Sequence, residues 1–122
     1  MTPKELQQAM RGLTRRRVKP ETEWLNYVRK RLRLAFGPRM RLVKILGGLG
    51  QEPGIADLLG VIQGQAVALE LKTPGGRHKV SHAQSDFLAS WSAAGGLALV
   101  VDSPEALEGL IEHLGAVQGG LF

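Results

Sequence analysis

A chain of 122 residues with 43% hydrophobic residues, no cysteine and a formal net charge of +5 fits one domain with its own core. The absence of cysteine excludes disulfide bonds, cysteine-ligated zinc and thiol nucleophiles. The sequence has no apolar run of the roughly 18–20 residues that a membrane span needs. Met1 to Gly12 lack the apolar core of a secretory signal, so we expect a soluble protein of the cytoplasm.

The charge is divided unevenly along the chain. Residues 1–44 carry 13 Lys or Arg against 3 Asp or Glu, whereas residues 45–122 carry 3 against 8. Such asymmetry indicates a basic face for a polyanion such as nucleic acid. The alternative is a basic tail combined with a solvated helix face.

Two regions are predicted, a basic N-terminal arm at residues 1–19 and a single domain at residues 20–122. The arm has little apolar periodicity. After Pro20, the domain begins with a helix from Glu21 to about Phe36, which Gly37-Pro38 ends. Apolar residues recur in this helix at three- and four-residue spacing and form one face: Trp24, Leu25, Val28 and Leu32.

Three strands are predicted next, at Met40–Leu46, Ile55–Ile62 and Ala66–Lys72. A glycine-rich loop separates the first two, and Gln63-Gly64 is a turn signal between the second and third. If these two residues form the whole hairpin loop, Ile62 pairs with Gln65. Asp57 then falls directly opposite Glu70.

The rest of the chain predicts a helix, a strand and a last helix. Ser81-His82-Ala83-Gln84 has the form of a capping box and begins a helix to about Ala94, with Phe87, Leu88 and Trp91 as its buried stripe. Leu97–Val101 is typical of a strand buried on both faces, and Pro104 to about Leu114 of a helix. The element order is αβββαβα, an α/β domain.

Charged residues within apolar strands are costly unless they are paired or bind a metal, and Asp57, Glu70 and Lys72 are such residues. Opposed carboxylates repel each other, and a divalent cation between them removes the repulsion. Oxygen ligands suit Mg²⁺ or Mn²⁺, and a neighbouring lysine can activate water or hold a phosphate oxygen. The alternative is a buried ion pair that Lys72 forms with Glu70 or Asp57, without catalysis.

Several segments, taken in order, resemble the VRR-NUC family of PD-(D/E)XK nucleases over about residues 20–112. They are Gly54-Ile55-Ala56-Asp57-Leu58-Leu59-Gly60, Leu69-Glu70-Leu71-Lys72 with the following Thr73-Pro74-Gly75-Gly76-Arg77, Ser81-His82-Ala83-Gln84, and Gly95-Gly96 before an apolar strand. Ala56 departs from the pattern, because the family commonly has proline there. The resemblance implies a restriction-endonuclease-like fold with a mixed central sheet flanked by helices.

The resemblance also implies a site and a reaction. Asp57, Glu70 and the backbone carbonyl of Leu71 would bind one or two Mg²⁺ or Mn²⁺ ions, and Lys72 would activate water for in-line attack on phosphorus. The leaving 3′ oxygen would be stabilised by the metal, and a 5′ phosphate would remain. The implied protein is a homodimeric DNA endonuclease that acts on structured or branched DNA, such as four-way junctions or flaps.

Two further site residues are implied, each with a structural alternative. The family has an acidic residue in the first helix; Glu21, which shares the apolar face, is preferred over Glu23, but it could instead be a favourable charge at the helix N-terminus. Gln84 would lie beside the metal or Lys72, yet the capping box alone explains it.

DNA contacts are predicted in the arm and in the loop after the catalytic strand, at Arg15, Arg16, Arg17, Lys19, Arg77 and Lys79. Two rival functions stay open. One is a non-catalytic DNA-binding module that kept the nuclease fold, and the other is a structural protein with a buried ion-pair network.

Overall fold

The computed structural model describes residues 2–8, 19–47, 51–76 and 79–119, with side chains up to residue 115 in the last helix. Four predicted DNA contacts, Arg15, Arg16, Arg17 and Arg77, lie outside these ranges. Residues 3–8 are helical. Among the described helices, none combines the length and apolar character that crossing a membrane requires.

The first long helix, α1, spans Pro20–Phe36. Proline suits the first turn, because its ring already has the helical φ angle and the missing N–H would have no partner there. The residues buried by α1 recur every four positions along one stripe, at Trp24, Val28, Leu32 and Phe36. A short 3-10 turn at Gly37–Arg39 then leads into the sheet.

Four strands form one mixed sheet in the order β1-β2-β3-β4. Their bounds are Met40–Lys44 for β1, Leu58–Ile62 for β2, Gln65–Leu71 for β3 and Leu97–Val101 for β4. The first three strands are antiparallel, and β4 is parallel to β3. The predicted element order and mixed sheet are therefore confirmed.

The β2–β3 hairpin has the predicted register. Gln63 and Gly64 both have positive φ angles, 52° and 81°, as a two-residue turn matched to strand twist requires. Ile62 therefore pairs with Gln65 and Leu58 with Leu69. The predicted start of β2 at Ile55 is wrong, because the strand begins at Leu58, although the carbonyl of Asp57 accepts a hydrogen bond from the Ile45 N–H at 2.9 Å.

Two more helices complete the domain, α2 at His82–Ala93 and α3 at Pro104–Gly119. α1 and α3 share the main core with one face of the sheet. Arg31 of α1 and Glu108 of α3 are also joined by two hydrogen bonds of 2.6 and 2.8 Å. The core consists of Trp24, Val28, Leu32, Phe36, Leu42, Leu58, Ile62, Val67, Leu69, Val101, Leu107, Leu110 and Leu114.

α2 connects β3 to β4 and contacts both strands. Two predictions are only partly correct here, namely that α2 has a buried stripe and that β4 is buried on both faces. Phe87, Leu88 and Trp91 are half-buried, and Val101 is the only fully buried residue of β4. The reason is position, since β4 is an edge strand that pairs only with β3 in the described part of the chain.

Candidate active site

A polar pocket of about 370 Å³ lies at the end of the sheet opposite the Gln63-Gly64 turn. Here β2 begins and β1 and β3 end, so that Lys44, Asp57 and Leu71 meet. The first turns of α1 and α2 reach the same place. The lining residues are Glu21, Thr22, Trp24, Leu25, Lys44, Asp57, Glu70, Leu71, Lys72, Thr73 and Gln84.

Glu70 is the most unusual residue of this pocket, because its carboxyl group is buried, with 3% of the residue exposed. Its Oε1 accepts a hydrogen bond from Gln84 Nε2 at 3.3 Å, while its buried Oε2 has no hydrogen-bond partner among the described residues. Burial, together with the neighbouring Asp57 carboxyl, raises the pKa of Glu70 to about 8, although Lys72 and Lys44 oppose the rise. The metal-free site therefore disfavours the ionised form of Glu70.

Asp57 lies beside Glu70 because it directly precedes Leu58, which pairs with Leu69, the residue before Glu70. Its Oδ2 accepts a hydrogen bond from the backbone N–H of Leu71 at 2.7 Å. Asp57 thus satisfies the last N–H of β3 and is held in place by it. Ala56, where the resemblance would place proline, is fully buried.

Lys72 and Gln84 form a short polar network with Glu70. Lys72 Nζ donates to Gln84 Oε1 at 3.3 Å. The same Oε1 accepts from the Ser81 N–H at 2.9 Å, and the Gln84 N–H donates to Ser81 Oγ at 3.1 Å. Gln84 therefore closes the capping box and also contacts both Lys72 and Glu70, so the two interpretations of this residue coexist.

The two acidic residues at the start of α1 face different cavities. Glu21 lines the pocket that contains Asp57 and Glu70, whereas Glu23 lines an adjoining groove. Both residues are exposed and both lie in the first helical turn. The structure brings Glu21 to the pocket rim, and the favourable charge at the helix N-terminus applies equally to both.

Sequence analysis missed two residues at this site. Lys44 lines the pocket and would have followed from the register of β1 and β2, which pairs it with Leu58. Gly54 has a φ angle of 78°, and a Cβ atom there would overlap the backbone of Ala83 and lie 2.6 Å from Gln84 N. The loop before Asp57 thus packs directly on the first turn of α2.

Two of the predicted DNA contacts, and a further group of basic residues, lie outside the pocket. Lys19 and Lys79 are exposed and do not line the pocket. A separate groove of about 360 Å³, which we call the arginine groove, lies between α1 and β1. Three arginines are among its lining residues, Arg29, Arg33 and Arg41. In the described ranges, no carboxylate lies within ion-pair distance of these three, whereas Arg31 is paired with Glu108.

The donor set fits a hard divalent cation. A buried oxygen without a partner and two crowded carboxyl groups would both be stabilised by positive charge between them. No group of three or more His, Cys, Asp or Glu side chains comes together in the described residues. Asp57, Glu70 and Leu71 all line the pocket, and the three oxygen donors that the resemblance implies, two carboxylates and the Leu71 carbonyl, would suit Mg²⁺, because this ion usually keeps several water ligands.

The comparisons with known proteins agree with this architecture. No family model matches the sequence, and no curated protein matches it significantly. Among solved structures, a VRR_NUC domain protein is similar with a TM-score of 0.57 and 16% sequence identity, over 75% of this chain and 84% of that chain. The predicted resemblance is therefore confirmed at the level of the fold: this chain has a restriction-endonuclease-like fold similar to that of a VRR_NUC domain.

Proposed function

We propose that this protein is a DNA endonuclease that depends on Mg²⁺ or Mn²⁺. The observation that carries the proposal is the pairing of Asp57 with the buried Glu70, whose Oε2 has no partner in the described structure, beside Lys72. A structural ion pair would satisfy Glu70 directly with Lys72. Instead Lys72 Nζ donates to Gln84 Oε1, and Gln84 Nε2 donates to the Glu70 carboxyl.

Each residue has a separate role in hydrolysis of the phosphodiester bond. Asp57, Glu70 and the Leu71 carbonyl would hold the cation, with Glu21 at the rim. When bound, the cation would polarise the phosphate and stabilise the leaving 3′ oxygen. Lys72 Nζ orients and activates the attacking water, and Gln84 positions both Lys72 and Glu70. Water attack on phosphorus breaks the bond to the 3′ oxygen, so the products carry a 5′ phosphate and a 3′ hydroxyl.

The arginine groove supports DNA as the substrate. Arg29 and Arg33 lie on α1 and Arg41 on β1, and no partner neutralises them within the described chain. Unpaired arginines at a groove suit a phosphate backbone, which they contact with two parallel hydrogen bonds. Because α1 also carries Glu21, the groove and the catalytic pocket share one rigid helix.

We further propose structured or branched DNA, such as four-way junctions or flaps, as the preferred substrate and a homodimer as the active form. Both follow from the resemblance to the VRR-NUC family. The half-buried Phe87, Leu88 and Trp91 of α2 provide apolar surface for a second copy. Sedimentation of the purified protein measures the oligomer.

The experiment is incubation with labelled duplex, flap and four-way-junction DNA in Mg²⁺, Mn²⁺ or EDTA. We expect cleavage with either ion, none in EDTA, and faster cleavage of the flap or junction than of the duplex. Full activity in EDTA would refute the metal-dependent mechanism.

A second candidate function is a DNA-binding module without catalysis. One observation favours it, namely that the described residues contain no cluster of three acidic or histidine side chains. This protein would bind all three DNAs with a strong salt dependence and cut none of them with either ion.

A further inference from the structure

A second groove adjoins the catalytic pocket and has a different chemical character. Its volume is about 540 Å³, which lies within the range of small-ligand sites. Trp24 and Thr73 line both cavities, so the two are contiguous. The residues that line this second cavity, which we call the aromatic groove, are Pro20, Glu23, Trp24, Tyr27, Thr73, Pro74 and Pro104.

Tyr27 presents a supported aromatic ring in this groove. It is 47% exposed, and its ring is stacked on that of Trp24 with centroids 5.5 Å apart and an interplanar angle of 12°. Trp24 is itself fixed, because its Nε1–H donates to the carbonyl of Val101 at 3.1 Å and the residue is buried. The Tyr27 ring is therefore supported by a fixed side chain, so that stacking a ligand on it costs little side-chain entropy.

We propose that the aromatic groove binds one unpaired nucleobase of the DNA substrate, stacked on Tyr27 next to the scissile phosphate. This inference rests on the proposed nuclease function and names a specificity site for it. Exposed bases stack on aromatic side chains in proteins that bind single-stranded nucleic acid. Tyr27 would position the substrate and take no part in the chemistry.

The charges of the groove distinguish a base from the phosphate backbone. No lysine or arginine lines the groove in the described chain, and its one charged lining residue is Glu23. A carboxylate repels phosphate but accepts hydrogen bonds from base amino groups. The rings of Pro20, Pro74 and Pro104 add apolar surface against which a flat base can pack. The DNA phosphate backbone would instead contact the arginine groove, which lies between α1 and β1.

The consequence is a preference for DNA with an unpaired nucleotide beside the cleavage point. A base that is paired and stacked in a duplex must first be extruded, at a cost of a few kcal/mol. A flap or junction already offers such a base. The aromatic groove thus gives a physical reason for selecting branched DNA that the catalytic pocket alone does not give.

The test is binding of a fluorescent ten-nucleotide single strand in EDTA, measured by anisotropy. Tyr27→Ala should weaken binding by roughly 5- to 150-fold, as removal of one stacking aromatic does, whereas Tyr27→Phe should bind like the wild type. Leu34→Ala is the matched control, because Leu34 lies on the same helix, is 73% exposed and does not line the groove. Thermal melting of each variant confirms that it is folded.

An abasic position scanned along the strand identifies the contact. At one or two positions, loss of the base should weaken wild-type binding and have little further effect on Tyr27→Ala. Suppose that Tyr27→Ala binds every strand of the scan as tightly as the wild type does, and that the wild type cleaves DNA. This result would overturn the nucleobase site and leave the nuclease function intact. A wild type that neither binds nor cleaves DNA would overturn both.

Discussion

The candidate catalytic pocket and the aromatic groove share Trp24 but are otherwise built largely from different residues. The pocket gathers carboxyl, amine and amide groups from the ends of three strands and the first turns of two helices, and hydrogen bonds hold Asp57 and Gln84 in it. The groove is lined by prolines and aromatic rings with a single carboxylate. Helix α1 therefore contributes to both cavities. Glu21 lines the pocket proposed for hydrolysis, and Tyr27 lines the groove proposed for substrate selection.

Removing the amine of Lys72 should have the largest effect in the pocket. We expect Lys72→Ala to reduce cleavage by about 10²- to 10⁴-fold, the usual contribution of a positioned acid–base group. Cleavage of a labelled flap measures the loss. Normal cleavage by Lys72→Ala would show that its contact with Gln84 is structural.

Gly54→Ala tests whether the loop before Asp57 fixes the pocket geometry. The added methyl group would overlap the Ala83 backbone and displace the first turn of α2, and with it Gln84. A displacement of about 1 Å can cost roughly 10²-fold in rate. Gly47→Ala is the matched control, since nothing lies within 4 Å of a Cβ atom at that position. Equal rates for the two variants would contradict a positioning role for Gly54.

Glu21→Gln and Glu23→Gln separate the two sides of α1. If Glu21 supports the metal, its amide variant should lose metal affinity and cleavage rate by about 10- to 100-fold. Glu23→Gln should leave metal affinity unchanged, because Glu23 lines the aromatic groove and not the pocket. Metal titration of cleavage rate measures both. Damage from Glu23→Gln alone would mean that the wrong side of α1 has been assigned to the metal.

The arginine groove should contribute a graded salt dependence. Replacing Arg29, Arg33 and Arg41 by alanine, one at a time, should lower the slope of log affinity against log salt by roughly 0.9 for each lost duplex contact. Arg31→Ala is the comparison, because Arg31 is engaged with Glu108. If all four variants have the same slope as the wild type, the arginine groove is not part of the DNA interface.

A pH dependence of stability is also expected in the metal-free protein. The pKa of Glu70 is about 8 when folded, against an ordinary value of 4.5. Between these values the unfolded chain releases the proton first, so stability should fall as pH rises from about 4.5 to 8 and then level off. Urea unfolding in EDTA should show this decline for the wild type and a weaker one for Glu70→Gln. Identical pH profiles would contradict the assigned environment of Glu70.

Local rules were sufficient to predict part of the site. The Gln63-Gly64 turn fixes the register of its own hairpin, which is why Asp57 and Glu70 could be paired in advance, and helical spacing places Glu21 on the face of Trp24. The capping box likewise predicts where α2 begins. These features depend on residues that are close in sequence.

Features that depend on distant contacts could not be predicted. Lys44 reaches the pocket because of the way β1 pairs with β2. A loop of 13 residues separates these two strands, so that no short turn fixes their register. The packing of Gly54 on Ala83 requires knowing where α2 lies. The periodicity of Phe87, Leu88 and Trp91 indicates an apolar stripe but not how much of it a neighbour covers.

The central claim is that the Asp57 and Glu70 carboxyl groups make DNA cleavage dependent on a divalent ion. The most direct measurement compares cleavage of one labelled flap by the wild type in Mn²⁺, by the wild type in EDTA, and by Asp57→Asn in Mn²⁺. Asn retains an oxygen for the Leu71 N–H and loses the charge. We predict 5′-phosphate products in the first reaction alone. Comparable cleavage in all three reactions would contradict the account.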